Sequence, residues 1–107
     1  MAQTVIVPTG VLLGAGETTV YTAGAGGPSK GYIRFSNVDT VARSLNAFVY
    51  TGAGPGADTT RLVPTNFNLP AGMSIRVTFL LSASYKITAT SSSANKINAV
   101  PYGLETT

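Results

Sequence analysis

Apolar and polar side chains alternate without interruption over residues 73–79, Met73-Ser74-Ile75-Arg76-Val77-Thr78-Phe79. A period of two is the pattern of a β-strand with one buried face. It predicts that Met73, Ile75, Val77 and Phe79 point inward and that Ser74, Arg76 and Thr78 point outward. The stretch follows a turn sequence, Leu69-Pro70-Ala71-Gly72, in which proline presets the backbone and glycine lies close behind.

Short segments of the same kind recur along the chain, and none has a sustained helical period. Besides residues 73–79, we expect strands at residues 4–7, 18–22, 31–38, 44–51, 59–63, 84–90 and 96–100. Glycine-rich or serine-rich loops separate them at residues 23–29, 52–58 and 91–95. About eight short strands predict an all-β protein, a single antiparallel β-sandwich or jelly-roll-like domain over residues 1–107. Residues 1–16 are expected to be an extended N-terminal segment and residues 104–107 a short, frayed tail.

Three of these strands make specific predictions about which side chains share a face. In residues 31–38, one face carries Ile33 and Phe35 and the other carries Tyr32, Arg34 and Ser36. In residues 84–90, one face carries Tyr85, Ile87 and Ala89 and the other carries Lys86 and Thr88. In residues 44–51, one face carries Leu45, Ala47 and Val49 and the other carries Asn46, Phe48 and Tyr50. The strand at residues 44–51 therefore has apolar side chains on both faces. Three readings stay open: a central strand covered on both faces or a register shifted by one residue, a subunit interface, or a surface on which bases stack.

The composition argues against an enzyme. The chain has no Cys and no His, so it lacks a thiolate, an imidazole base and the usual zinc ligands. Only four carboxylates are present, and no two share a short motif. The glycine-rich run Gly52-Ala53-Gly54-Pro55-Gly56 lacks the Lys-Ser/Thr ending of a phosphate-binding loop. We therefore expect no catalytic residues, no cofactor and no metal.

Charge and hydropathy point away from nucleic acid and membranes. The formal net charge is +3, from seven basic residues spread along the chain. Without a basic cluster, a specific nucleic-acid partner is not expected. The N-terminus lacks the basic and apolar regions of a signal peptide, and no apolar run approaches the length of a membrane span.

Aromatic and arginine side chains at outward positions are the best candidates for contact with a partner, because these residue types are enriched at protein–protein interfaces. The candidate interface residues are Tyr32, Arg34, Phe48, Tyr50 and Arg76. Taken singly, an outward arginine is more simply explained as a solvated charge that protects the edge of a sheet from pairing with another chain. Taken together on a surface of low charge, these residues favour protein–protein contact.

Several segments give the chain a resemblance to small β-sandwich virion proteins of tailed bacteriophages. They are residues 19–24, 32–37, 69–72, 85–92 and 94–98, and together they span most of residues 17–104. The resemblance implies a non-enzymatic capsid decoration or cement protein that stabilises the shell. It implies the major capsid protein as partner, a homo-oligomer (dimer or trimer), and a virion location after synthesis in the host cytoplasm. The alternative is a tail, fibre or baseplate accessory module that binds a host-surface glycan.

Overall fold

The computed structural model describes residues 2–50 and 60–106, and this part of the chain contains nine β-strands and no α-helix. The strands are β1 (Gln3–Val5), β2 (Val11–Leu12), β3 (Thr18–Thr22), β4 (Ser29–Asn37), β5 (Arg43–Tyr50), β6 (Phe67–Leu69), β7 (Ser74–Leu81), β8 (Lys86–Ser91) and β9 (Ile97–Thr106). The all-β prediction is confirmed.

Two antiparallel sheets pack together as a β-sandwich. The first sheet has the order β1-β9-β4-β7, and β2 also pairs with β9. The second sheet has the order β3-β8-β5-β6. The long strands β4 and β9 pair over nine residues, from Ser29 opposite Glu105 to Asn37 opposite Ile97. Sequence neighbours are thus often not sheet neighbours, as is usual in sandwiches with long connections between strands.

The core lies between the sheets and is built from alternate residues of the long strands. Most of the predicted inward residues of three segments are buried, namely Ile33, Phe35, Leu45, Ala47, Ile87 and Ala89, whereas Val49 is half-buried against the core. From β9, Ile97 and Ala99 join them. Each fully buried aliphatic or aromatic side chain contributes about 1.5–3 kcal/mol relative to an exposed one.

Strand β7 keeps the predicted alternation, with one correction. Ser74, Arg76 and Thr78 are exposed, Phe79 is buried, and Ile75 and Val77 are half-buried. Met73, predicted to point inward, is 54% exposed. It lies before the strand begins, and its carbonyl accepts a hydrogen bond from the Asn37 N–H at 2.9 Å. The backbone there follows the preceding turn rather than the pleat of the strand.

Strand β5 is an interior strand between β8 and β6, so both of its edges are paired. Phe48, on the face away from the core, is only 8% exposed. Tyr50, on the same outward face, is only half-buried, so the first of the three open readings, a central strand covered on both faces, holds for Phe48 and not for Tyr50.

Three further expectations at segment ends are wrong. Tyr85 is 36% exposed and lies in the turn before β8 rather than in the strand. Residues 60–63 form no strand; Arg61 makes only an isolated bridge with Phe48. Residues 104–106, expected to fray, are the end of β9 and pair with both β1 and β4.

The N-terminal segment is partly strand. Its strands β1 and β2 pair with β9, and Ile6 and Leu13 from the same segment are buried in the core. The expectations for Met1, Thr51, the loop at 52–58, Thr59 and Thr107 lie outside the described residues.

Candidate protein-binding surface

Three of the candidate interface residues share one outward face of the first sheet. Paired residues of adjacent strands point to the same side, so the register places Tyr32 and Arg34 of β4 beside Arg76 of β7. Arg34 lies directly opposite Arg76, and Tyr32 lies directly opposite Tyr102 of β9. We refer to Tyr32, Arg34, Arg76 and Tyr102 as the Arg–Tyr face.

The aromatic side chains of this face are held by contacts with each other and with a guanidinium. The rings of Tyr32 and Tyr102 stack with centroids 5.0 Å apart and planes inclined by 22°. The Arg76 guanidinium carbon lies 5.3 Å from the centre of the Tyr32 ring, within cation–π range. These contacts restrict the rotamers of Tyr32 and Arg76 before any partner arrives.

The two arginines of the face are like charges placed opposite each other, an arrangement that destabilises a sheet. Within residues 2–50 and 60–106, neither guanidinium forms a salt bridge with a carboxylate. Arg43 differs, since its Nε donates to Asp39 Oδ2 at 2.7 Å. The pKa of Asp39 is lowered first by the hydrogen bond from the Thr40 N–H and then by Arg43. The Arg–Tyr face therefore has an unbalanced positive charge that an external anionic group would neutralise.

A shallow depression of about 430 Å³ lies on this face, lined by Tyr32, Arg34, Ser74, Ile75 and Arg76. The hydroxyl oxygens of Ser36 and Ser74 are 2.8 Å apart at its margin. The guanidinium groups are pure donors with a planar fork that fits a carboxylate, phosphate or sulfate. The arrangement can bind an acidic group and present flat rings to apolar surface. The two arginines cannot act as general bases, because a guanidinium stays protonated.

Phe48 and Tyr50 lie elsewhere, on the outward face of the second sheet. The Arg61 guanidinium carbon lies 4.8 Å from the centre of the Phe48 ring, and the Lys86 amine lies 4.4 Å from the centre of the Tyr50 ring. Arg61 is also fixed by donating to Asn46 Oδ1 at 2.8 Å. Cations of the chain itself thus cover both rings, and Phe48 offers little area to a partner. The five candidates form two groups on the two outer faces of the sandwich.

Tyr102 was missed by sequence reasoning, although it completes the aromatic part of the face. It follows Pro101, and the last strand was expected to stop at residue 100. Its face depends on pairing with Tyr32, which is 70 positions earlier in the chain. Proline removes a backbone donor and normally weakens a strand assignment, so no local signal indicated that β9 continues past it.

A polar cluster connects the two sheets on the face of the first sheet that is turned toward the second sheet. Tyr21 of β3 donates its hydroxyl proton to Glu105 Oε2 of β9 at 2.6 Å, and Ser29 Oγ lies 3.0 Å from the same Tyr21 oxygen. Burial, and then the hydrogen bond to Glu105, raise the pKa of Tyr21 to about 12. The hydroxyl therefore stays protonated at neutral pH, and we assign it to stability.

The remaining carboxylates of the described chain are likewise occupied. Thr88 donates to Glu17 Oε1 at 2.6 Å, and Asp39 accepts from Arg43. Within the same residues, no group of three or more acidic side chains is close enough to hold a metal ion. Nor does the described part of the chain contain a helix that is long and apolar enough to cross a membrane.

Comparison with known protein families, characterised proteins and solved structures found no match to this chain.

Proposed function

We propose that this protein is a non-enzymatic structural protein of a virion, which binds the outer surface of the capsid through the Arg–Tyr face and stabilises the shell. The observation that carries the proposal is the pair of exposed arginines, opposite each other and unpaired with any described carboxylate, beside a tyrosine stack. A sheet tolerates such a pair at a cost in stability, and an acidic partner surface would recover that cost.

The residue types and their order support binding to protein. Tyrosine and arginine are enriched at the energetic centres of interfaces, where a few residues contribute most of the affinity. The stacked rings and the cation–π contact fix Tyr32, Tyr102 and Arg76 in advance. Less side-chain entropy is then lost on binding. Each arginine can accept a carboxylate in a bidentate geometry.

The resemblance to small virion proteins supports the capsid as partner, and the Cys-free and His-free composition agrees with that resemblance. A shell presents the same surface many times over. A rigid β-sandwich that forms modest contacts at every copy would stabilise the whole shell through multivalency. The major capsid protein would supply acidic side chains at the contact.

The test uses capsids assembled without this protein from the same virus. Adding the purified protein should give co-sedimentation, ordered density on the outer surface by cryo-electron microscopy and a higher capsid melting temperature. An Arg34→Ala, Arg76→Ala double variant should bind at least about tenfold more weakly, since truncating such residues commonly costs more than 1 kcal/mol each. A Lys86→Ala, Lys96→Ala variant removes the same charge elsewhere and should bind normally. Absence of binding by the unaltered protein would rule out the capsid proposal.

A second candidate function is favoured by the depression beside Tyr32, which combines ring faces with guanidinium donors. In this alternative the protein is a tail, fibre or baseplate module, and the ligand is a glycan that carries a carboxylate or sulfate. A glycan array should then show binding that Tyr32→Ala abolishes. Tyr50→Ala is the matched control, because Lys86 covers that ring on the opposite face. If the protein binds capsids and gives no signal on the glycan array, this second candidate function is contradicted.

A further inference from the structure

Strand β7 is the outermost strand of the first sheet, and among the described residues it pairs only with β4. The β4–β7 ladder is continuous over eight residue pairs, from Ser29 opposite Leu81 to Ser36 opposite Ser74. No register shift interrupts it. The far side of β7 is therefore a long, regular strand edge.

The hydrogen bonds at one end of the ladder show which backbone groups of β7 point away from β4. The Asn37 N–H donates to the Met73 carbonyl at 2.9 Å, so residues 37 and 73 form a hydrogen-bonded position. Hydrogen-bonded and non-hydrogen-bonded pairs alternate along an antiparallel ladder. Counting from residue 73, the backbone groups that point outward are those of Ser74, Arg76, Thr78 and Leu80.

The other described strand edges have the features that prevent pairing with a second chain, and β7 lacks them. Strand β3 has a register shift between Thr19 and Tyr21, and β1, β2 and β6 are no longer than three residues. Strand β7 has eight residues, no proline and no lysine. Its one charged side chain, Arg76, lies back over the Tyr32 ring instead of extending past the edge.

Side chains along β7 are also incompletely covered. Ile75 and Val77 point toward the core but are only half-buried, so the core is open at this edge. Leu80, on the outward face, is 75% exposed. Apolar area of this kind, beside backbone groups that pair with no described strand, is typical of a strand that accepts a neighbour.

We propose that β7 pairs antiparallel with β7 of a second copy of this chain, so that the first sheets of the two copies join into one continuous sheet. The dyad passes through Val77, which lies opposite the partner's Val77. This register follows from two requirements. All four outward-pointing residues must find a hydrogen-bonded position, Ser74 with the partner's Leu80 and Arg76 with the partner's Thr78. Arg76 must also avoid lying opposite the partner's Arg76, which would set like charges together.

In this register the two strands exchange about eight backbone hydrogen bonds, two at each hydrogen-bonded pair. Ile75 would lie opposite the partner's Phe79, and Val77 opposite the partner's Val77, at the open margin of the core. A single strand pair buries less area than a standard interface, so the dimer should be weak and dependent on concentration. The inference does not depend on what the Arg–Tyr face binds, and its failure would leave the capsid proposal standing.

The first test measures molar mass by sedimentation equilibrium across a wide concentration range. We expect a monomer–dimer equilibrium. Thr78→Pro should weaken it by at least about tenfold, because proline removes an outward N–H that makes no bond to β4. Thr78→Lys should also weaken the dimer and Thr78→Glu should strengthen it, since the side chain lies opposite the partner's Arg76. The two charge variants keep the test valid if the proline variant does not fold.

The second test uses the absence of cysteine from the chain. Residues at a non-hydrogen-bonded pair have Cα atoms about 4.5 Å apart, a distance that a disulfide can bridge. Under a mild oxidant such as oxidised glutathione, Val77→Cys should form a covalent dimer, whereas Ile75→Cys should not, because the dyad separates its two copies. A chain that stays monomeric at every concentration would refute the proposal. So would equal cross-linking of the two cysteine variants.

Discussion

The glycine pair between β4 and β9 makes the strongest prediction about stability. Gly31 lies opposite Gly103 in the register of the two strands. A Cβ atom placed on Gly31 would lie 1.9 Å from the Tyr102 carbonyl oxygen and 2.7 Å from the Gly103 Cα. Both contacts are with backbone, so no side-chain rotation relieves them. The two central strands of the first sheet can approach this closely only because both residues lack a side chain.

We expect Gly31→Ala to reduce the free energy of unfolding by about 3 kcal/mol or more, at the upper end of overpacking costs. The strands would have to separate by roughly 1 Å to restore an ordinary carbon–oxygen contact, and the ladder hydrogen bonds would lengthen with them. For a domain of this size the melting temperature should fall by roughly 15 °C. Gly31 does not have a positive φ, so the clash is the only source of the effect.

Urea and thermal denaturation monitored by circular dichroism provide the assay. The matched control is Gly16→Ala, because nothing lies within 4 Å of a Cβ at that position and its φ is not positive. Its stability should be unchanged or slightly higher, since alanine restricts the unfolded chain. If the free energies of unfolding of Gly31→Ala and of the unaltered protein agree within about 0.5 kcal/mol, β4 and β9 do not approach each other as closely as described.

Two further predictions concern buried polar groups. Because the pKa of Tyr21 is raised to about 12, from an unfolded value near 10, its contribution to stability is complete below pH about 10 and is lost as the pH rises toward 12. Chemical denaturation should show this loss, of about 1–2 kcal/mol after screening by solvent, and Tyr21→Phe should remove that pH dependence. Asn37 is buried, and its amide nitrogen donates to the carbonyls of Val41 and Leu69, each at 2.9 Å. Asn37→Ala should cost about 2–4 kcal/mol in denaturant titrations, because both carbonyls lose their partner; an unchanged midpoint would contradict that role.

The sequence predicts this fold well wherever the determining signal is local. Alternation in residues 31–38 and 73–79 identifies the strands and places Ile33 and Phe35 in the core, because the pleat imposes a period of two. The errors at Met73 and Tyr85 are also local. Each lies one residue before its strand, where the turn sets the backbone direction.

What the sequence does not predict is which strands pair. Pairing depends on contacts between residues far apart in the chain, so Tyr102 could not be assigned to the face of Tyr32. The same limit applies to Phe48, whose burial depends on Arg61 reaching across from another segment. The division of the five candidate residues between two faces of the sandwich therefore required the register of the strands.

Strand β9 follows every other described strand in the chain, yet it occupies the middle of the first sheet, between β4 on one side and β1 and β2 on the other. During synthesis on a ribosome, the strands that neighbour β9 are made first, and their edges toward β9 stay unpaired until β9 emerges. The first sheet can therefore close only after residues 97–106 have left the exit tunnel, and these late, long-range pairings slow folding. A nascent chain stalled before β9 should be sensitive to protease throughout its first sheet.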